Sequence, residues 1–76
     1  MNTISRIVIE MINDFSEIEL DKIKLKSTFE ELSIYNLDLA EIIMALEDKL
    51  KFSANRKMYQ SKTVEELIEK INLIKK

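Results

Sequence analysis

The stretch SIYNLDLAEIIMALEDKL, residues 33–50, decides how this chain is read. Turned at about 100° per residue, Leu39, Ile42, Ile43, Leu46 and Leu50 fall within an arc of roughly 100°. They form the core stripe of a helix running from Leu37 to Leu50. Leu37, Ala40 and Met44 occupy a second arc, centred roughly 140° from the first, too far round to share the same contacts. Glu41 and Asp48 border this second strip on one side and Glu47 on the other. A narrow apolar strip edged by carboxylates suits a protein partner with a shallow apolar groove and a basic rim, and Met44 is an adaptable side chain for such a contact. A plainer alternative stands beside this one: Leu37 folds back onto the preceding loop, and Ala40 is simply a good helix former.

Immediately before this helix, Asn36 is expected to be its N-cap, with the side-chain oxygen accepting a free backbone N–H. Asp38, in the first turn, favours the positive end of the helix dipole. Tyr35 adds bulk just before the helix, a ring packed partly over the loop being the plainer alternative.

Working outward, Ile4, Ile7, Val8, Met11 and Phe15 recur at helical spacing, which predicts a helix from about Thr3 to about Asp14, capped by Thr3 or Asn2. Residues 16–27, SEIELDKIKLKS, alternate locally, Ile18 with Leu20 and then Ile23 with Leu25. This segment reads as a long ordered loop, with a short strand as the competing assignment. Ser27-Thr28-Phe29-Glu30 and Thr63-Val64-Glu65-Glu66 both fit a capping box. The first is expected to open only a turn ending near Leu32. The second opens a helix with Val64, Leu67, Ile68, Ile71 and Ile74 on one face. Between them, NRKMYQ (residues 55–60) is a candidate short helix pinned by Met58 and Tyr59.

The bulk composition narrows the function classes. Seventy-six residues make one domain, 1–76, with a small core. Apolar residues at 46% and charged residues at 34% indicate a globular chain. Cysteine and histidine are absent, so disulfides, thiolate nucleophiles, the usual general base and the commonest metal ligands are all excluded, and no metal site is expected. The carboxylates read as helix-surface charges, and the chain is not read as an enzyme. A net charge of −2 is too balanced to point to nucleic acid. No apolar run is long enough to span a bilayer and the first residues do not resemble a signal peptide, so a cytoplasmic monomer is the default expectation. Glycine and proline are also absent. Helix ends must therefore be set by Ser, Thr, Asp and Asn, with Asn13, Asn55 and Asn72 placed where a left-handed residue often terminates a helix.

The stretch STFEELSIYNLDLAEIIMALEDKL, residues 27–50, resembles the centre of an acyl carrier protein, where a FxxLGxDSLDxxELxMALEExF pattern is typical. The matching positions are Phe29, Leu32, Leu37, Asp38, Glu41, Met44, Ala45, Leu46, Glu47 and Leu50. The order and lengths of the first helix, the long loop and the TVEELIEKI helix are also similar to the family's, so the likeness extends over the whole chain. It implies an all-α fold, a small antiparallel bundle of three longer helices and one short one. It further implies a relationship to acyl, fatty-acid or polyketide-type biosynthesis. Carriers of this family bear 4′-phosphopantetheine on the serine of an Asp-Ser-Leu motif. Here the serine position is Asn36, the aspartate position is Tyr35 and the earlier glycine position is Ser33. An amide has no hydroxyl oxygen to form the phosphodiester, so no prosthetic group is expected at Asn36.

The leading reading is therefore an interaction module that has lost its prosthetic arm and docks through Leu37, Asp38, Ala40, Glu41, Met44, Glu47 and Asp48. The alternative is a working carrier of thioester-bound acyl or aminoacyl groups with an unconventional attachment site, Ser33 being the first candidate. Two departures qualify the likeness. The family is usually markedly acidic, whereas Lys49, Lys51, Arg56 and Lys57 cluster after the central helix, either as a solvated face or as a sign of a different kind of partner. The loop before the last helix also lacks the family's frequent Ile-Pro element and is about one residue shorter.

Overall fold

The computed structural model describes residues 3–75. Three helices make up the fold: α1 (Thr3–Ser16), α2 (Asn36–Leu50) and α3 (Val64–Ile74). Two short 3-10 turns, Leu20–Lys22 and Arg56–Gln60, interrupt the connections. No strand forms among the described residues; the only β-type pairing there is an isolated antiparallel bridge between Thr28 and Thr63. α1 packs against both α2 and α3, and the second 3-10 turn fills in against α2 and α3. The radius of gyration is 11.0 Å, close to the roughly 11 Å expected of a compact chain of this length.

Burial holds α1 together more than propensity does, because its many β-branched residues are mediocre helix formers. It buries Ser5, Val8, Ile9 and Ile12, a stripe one position on from the expected Ile4, Ile7, Val8 and Met11; of those only Val8 is fully inside, and Ile4, Ile7 and Met11 are half-buried against the core. Asn2 lies outside the described residues, and Thr3 is already helical rather than a flanking cap. The helix runs two residues beyond the expected Asp14, to Ser16. Phe15, assigned from its spacing to the apolar face, is 44% exposed because it lies in the last turn, where the chain is already leaving the bundle.

The end of α1 corrects the expectation for Asn13. The left-handed residue is Glu17 (φ 63°), whose N–H donates to the Asn13 carbonyl at 2.9 Å. Asn13 instead clasps the departing chain, its Nδ2 donating to the Ile18 carbonyl at 2.6 Å. Asn55 and Asn72 are not left-handed either. Asn55 caps the second 3-10 turn by accepting the Met58 N–H at 3.2 Å, and Asn72 lies inside α3. The other positive-φ residues are Ser33 and Lys51, each at 58°.

The segment from Glu17 to Ser27 is the ordered loop expected, with one 3-10 turn and no strand. Ile23 is buried from it, while Leu20 and Leu25 remain exposed. Its far end is stitched to the start of α3. The Phe29 N–H donates to the Lys62 carbonyl at 2.9 Å, the Val64 N–H to Ser27 at 3.1 Å, and the Glu65 N–H to Leu25 at 2.9 Å. These bonds satisfy backbone groups of both segments and seat Phe29 and Ile34 in the core.

Both capping motifs exist, each with a changed partner. The first is shifted by one residue. Thr28 and Glu31 form the reciprocal pair, with the Thr28 N–H donating to Glu31 Oε1 at 2.8 Å and the Glu31 N–H to Thr28 Oγ1 at 3.0 Å. Ser27 Oγ instead accepts the Lys24 N–H at 3.0 Å. As expected, the box opens only a turn, through Leu32. At α3, Thr63 Oγ1 accepts the Glu66 N–H at 3.1 Å, but Glu66 returns its bond to the N–H of Lys62 rather than that of Thr63. Val64, Leu67, Ile68 and Ile71 are buried, while Ile74, expected on the same face, is 37% exposed at the last turn. In the second 3-10 turn Met58 is fully buried and Tyr59 is 39% exposed, so of the two Met58 is the core anchor.

Candidate functional site

The approach to α2 is a tight descent from the capped turn. Ile34 donates its N–H to the Phe29 carbonyl at 2.8 Å and buries its side chain. Ser33, just before it, is exposed and left-handed. α2 begins at Asn36, one residue earlier than the spacing suggested. That shift removes Asn36 from the expected capping role. The N-cap is Tyr35, in extended conformation, and no side chain caps the helix there. Tyr35, 62% exposed, stands beside the exposed Asn36. Both residues line a cleft floored by Phe29, Ile34 and Leu39 and closed on its far side by the second 3-10 turn and Lys62.

Along α2 the two predicted faces separate. Leu39, Ile42, Ile43 and Leu46 are buried and Leu50 is half-buried. On the outer face Leu37 is 82% exposed and Met44 60%, while Ala40 is half-buried between them. Leu37 therefore does not fold back onto the loop. Asp38, Glu41 and Asp48 are exposed. Asp38 and Glu41 also edge a second cleft, between the end of α1 and α2, where Glu31 is a third carboxylate and Phe15, Ile18 and Ile42 are the apolar walls. The Thr28 backbone N–H, and then its hydroxyl, hold the Glu31 carboxyl below the ordinary glutamate value.

Glu47 differs from the other candidate docking residues. It is half-buried, and its Oε2 accepts the Ala54 N–H at 2.7 Å. The structure thus brings Leu37, Asp38, Ala40, Glu41, Met44 and Asp48 onto the outward side of α2 and commits Glu47 to holding the loop that follows. The helix ends at left-handed Lys51, whose N–H donates to the Glu47 carbonyl.

Lys70 and Lys75 make contacts with no signal in local sequence spacing. Lys75 Nζ donates to the Leu50 carbonyl at 2.6 Å. Lys70 Nζ donates to the Lys57 carbonyl at 2.9 Å and to Ser61 Oγ at 3.3 Å. Both join residues distant in sequence. The only available hint is that carbonyls at a helix end attract cations.

No protein-family model matches the chain, and no curated protein matches it. No helix among the described residues is long and apolar enough to cross a membrane.

Proposed function

We propose that this chain is a divergent acyl-carrier-protein-like domain without a prosthetic arm, acting as a non-catalytic module that binds a protein partner through the outer face of α2. In this reading α1, α2 and α3 correspond to the family's three longer helices, and the 3-10 turn at Arg56–Gln60 stands where the family has its short helix. The observation that carries the proposal is the exposure of Leu37 and Met44 on one side of α2, beside the exposed carboxylates of Asp38 and Glu41. Two large apolar side chains left in water on a helix whose other face is well buried favour a protein contact. The bordering carboxylates select a partner with basic groups around an apolar groove.

Asn36 supports the second half of the proposal. It sits at the first turn of α2, where the family's pattern has a serine, and an amide cannot be phosphopantetheinylated in the serine's place.

Intact mass after incubation with coenzyme A and a broad-specificity phosphopantetheinyl transferase tests this reading. The expected result is no gain in the native chain and a gain of one phosphopantetheine in the double variant Tyr35→Asp, Asn36→Ser. A gain in the native chain overturns the loss of the arm and sends peptide mapping first to Ser33. No gain in either chain counts against the carrier likeness.

A further inference from the structure

Between the end of α1 and the capped turn at Thr28, the chain is fastened at two points with a slack stretch between them. The first fastening is at Ile18, whose carbonyl accepts from Asn13 Nδ2 and whose N–H donates to Ser16 Oγ at 3.2 Å. The second is at Leu25, whose carbonyl accepts the Glu65 N–H of α3. Among the described residues, the stretch 19–23 makes no hydrogen bond or ion pair outside itself. Lys22 and Ile23 donate their N–H groups to the Glu19 and Leu20 carbonyls, and the Lys22 ammonium pairs with the Glu19 carboxylate at 3.4 Å. Lys24 is bonded only to Ser27. The 3-10 turn Leu20–Lys22 packs on α1 and on no other helix or turn among the described residues. Within 19–24 only Ile23 is buried, while Glu19, Leu20, Asp21, Lys22 and Lys24 are exposed.

The same stretch is a wall of two clefts. Lys22 lines the cleft that holds Phe15, Ile18 and Ile42. Leu20, Asp21 and Ile23 line another, against Arg6, Ile9 and Glu10 of α1. We infer that residues 19–24 form a strap that lifts from α1 as a unit while the three helices stay folded, baring Ile23 and Ile9 and joining the two clefts into one trough along α1. Only one side chain has to leave the core for this, whereas global unfolding exposes the whole cluster from Val8 to Ile71. The strap therefore opens far more often than the domain unfolds. Because Ile18 and Leu25 stay bonded to α1 and α3, the strap swings about its two ends and does not peel away. This motion stands apart from the docking reading of α2.

The chain has no cysteine, so a single introduced thiol reports on its own site. Ile23→Cys puts it in the strap and Ile9→Cys on α1 beside it. Ile12→Cys and Ile71→Cys put it at fully buried positions that line neither cleft, and Leu20→Cys in an exposed position as the unprotected reference. Each variant is treated with N-ethylmaleimide and adduct formation is followed by intact mass. Each rate is set against that variant's own global stability, measured by urea denaturation. Ile23→Cys and Ile9→Cys are expected to react about a hundredfold faster than Ile12→Cys and Ile71→Cys. Their rates should barely respond to low urea, because local opening exposes little surface, whereas the two core positions should show the full urea dependence of unfolding. Reaction of Ile23→Cys and Ile9→Cys only through global unfolding overturns the strap. Equal rates at Ile12→Cys and Ile9→Cys would make fraying of α1 the motion and overturn it too. Rapid reaction at Ile23→Cys beside slow reaction at Ile9→Cys would reduce the motion to one side chain, against a lifting strap. Should Ile23→Cys fail to fold, the contrast between Ile9→Cys and Ile12→Cys decides.

Discussion

The Glu47 carboxylate accepts the Ala54 N–H at 2.7 Å, tying α2 to the loop that leaves it. A charge-assisted bond to a half-buried backbone N–H holds that loop where Met58 can enter the core. Glu47→Ala leaves the donor without its partner and should destabilise the chain by about 1–3 kcal/mol. Glu41→Ala, on the open face of the same helix, should stay within about 0.5 kcal/mol of the parent. Urea denaturation of both variants checks the contrast. Equal losses would mean that Glu47 is as free as Glu41.

The two faces of α2 should respond differently to truncation. Leu46 is fully buried, so Leu46→Ala should remove about 2–5 kcal/mol, a large part of the stability of so small a domain. Leu37→Ala should change stability by less than about 0.5 kcal/mol, because its side chain stands in water already. Thermal unfolding followed by circular dichroism separates the two. A large loss at Leu37 would show it packed rather than available to a partner.

Lys51 adopts φ 58°, ψ 60° at the C-terminus of α2, a conformation that glycine enters without the Cβ penalty. Lys51→Gly should stabilise the chain by about 1 kcal/mol, visible as a rise in Tm of roughly 4–8 °C for a domain of this size. An unchanged or lowered Tm would place the end of the helix elsewhere.

Glu31 carries a pH signature. Its folded pKa is lowered, first by the hydrogen bond from the Thr28 N–H and then by that from the Thr28 hydroxyl. The ionised form is therefore favoured by folding. The contribution is present above the ordinary value of 4.5 and is lost as the pH falls through the lower folded value. An NMR titration should find Glu31 below that ordinary value, and Glu31→Gln should flatten part of the acid dependence of stability. A normal titration at Glu31 would dismiss the reciprocal cap with Thr28.

The positions of the helices were legible because burial imposes a period. The stripe from Leu39 to Leu46 and the stripe from Val64 to Ile71 each repeat at the spacing of a single helix face, and the residues so marked are buried. Along α1 the spacing located the helix but set its face one position early, so that of the marked residues only Val8 is buried and Ser5, Ile9 and Ile12 are buried instead. The exposed second strip of Leu37 and Met44 was legible for the same reason, since a helix has only one side toward the core. Periodicity weakens at the ends. Phe15 and Ile74 kept the spacing but lie in last turns where neighbours cover them only in part. The capping pairs were legible as a spacing but not as a register, because Ser27, Thr28, Glu30 and Glu31 offer overlapping combinations. In the folded chain Thr28 and Glu31 are the pair, while Ser27 Oγ accepts the Lys24 N–H.

The sequence by itself determined a helical domain with one two-faced helix, and the absence of a hydroxyl at Asn36, because amphipathic spacing and side-chain chemistry are local properties. Tertiary structure alone decided that Tyr35 rather than Asn36 precedes α2, that Glu47 turns inward to Ala54, that Lys75 reaches the end of α2 and that Lys70 reaches the second 3-10 turn. The last three depend on which backbone group lies within about 3 Å of a side chain, and that is set when distant segments pack together.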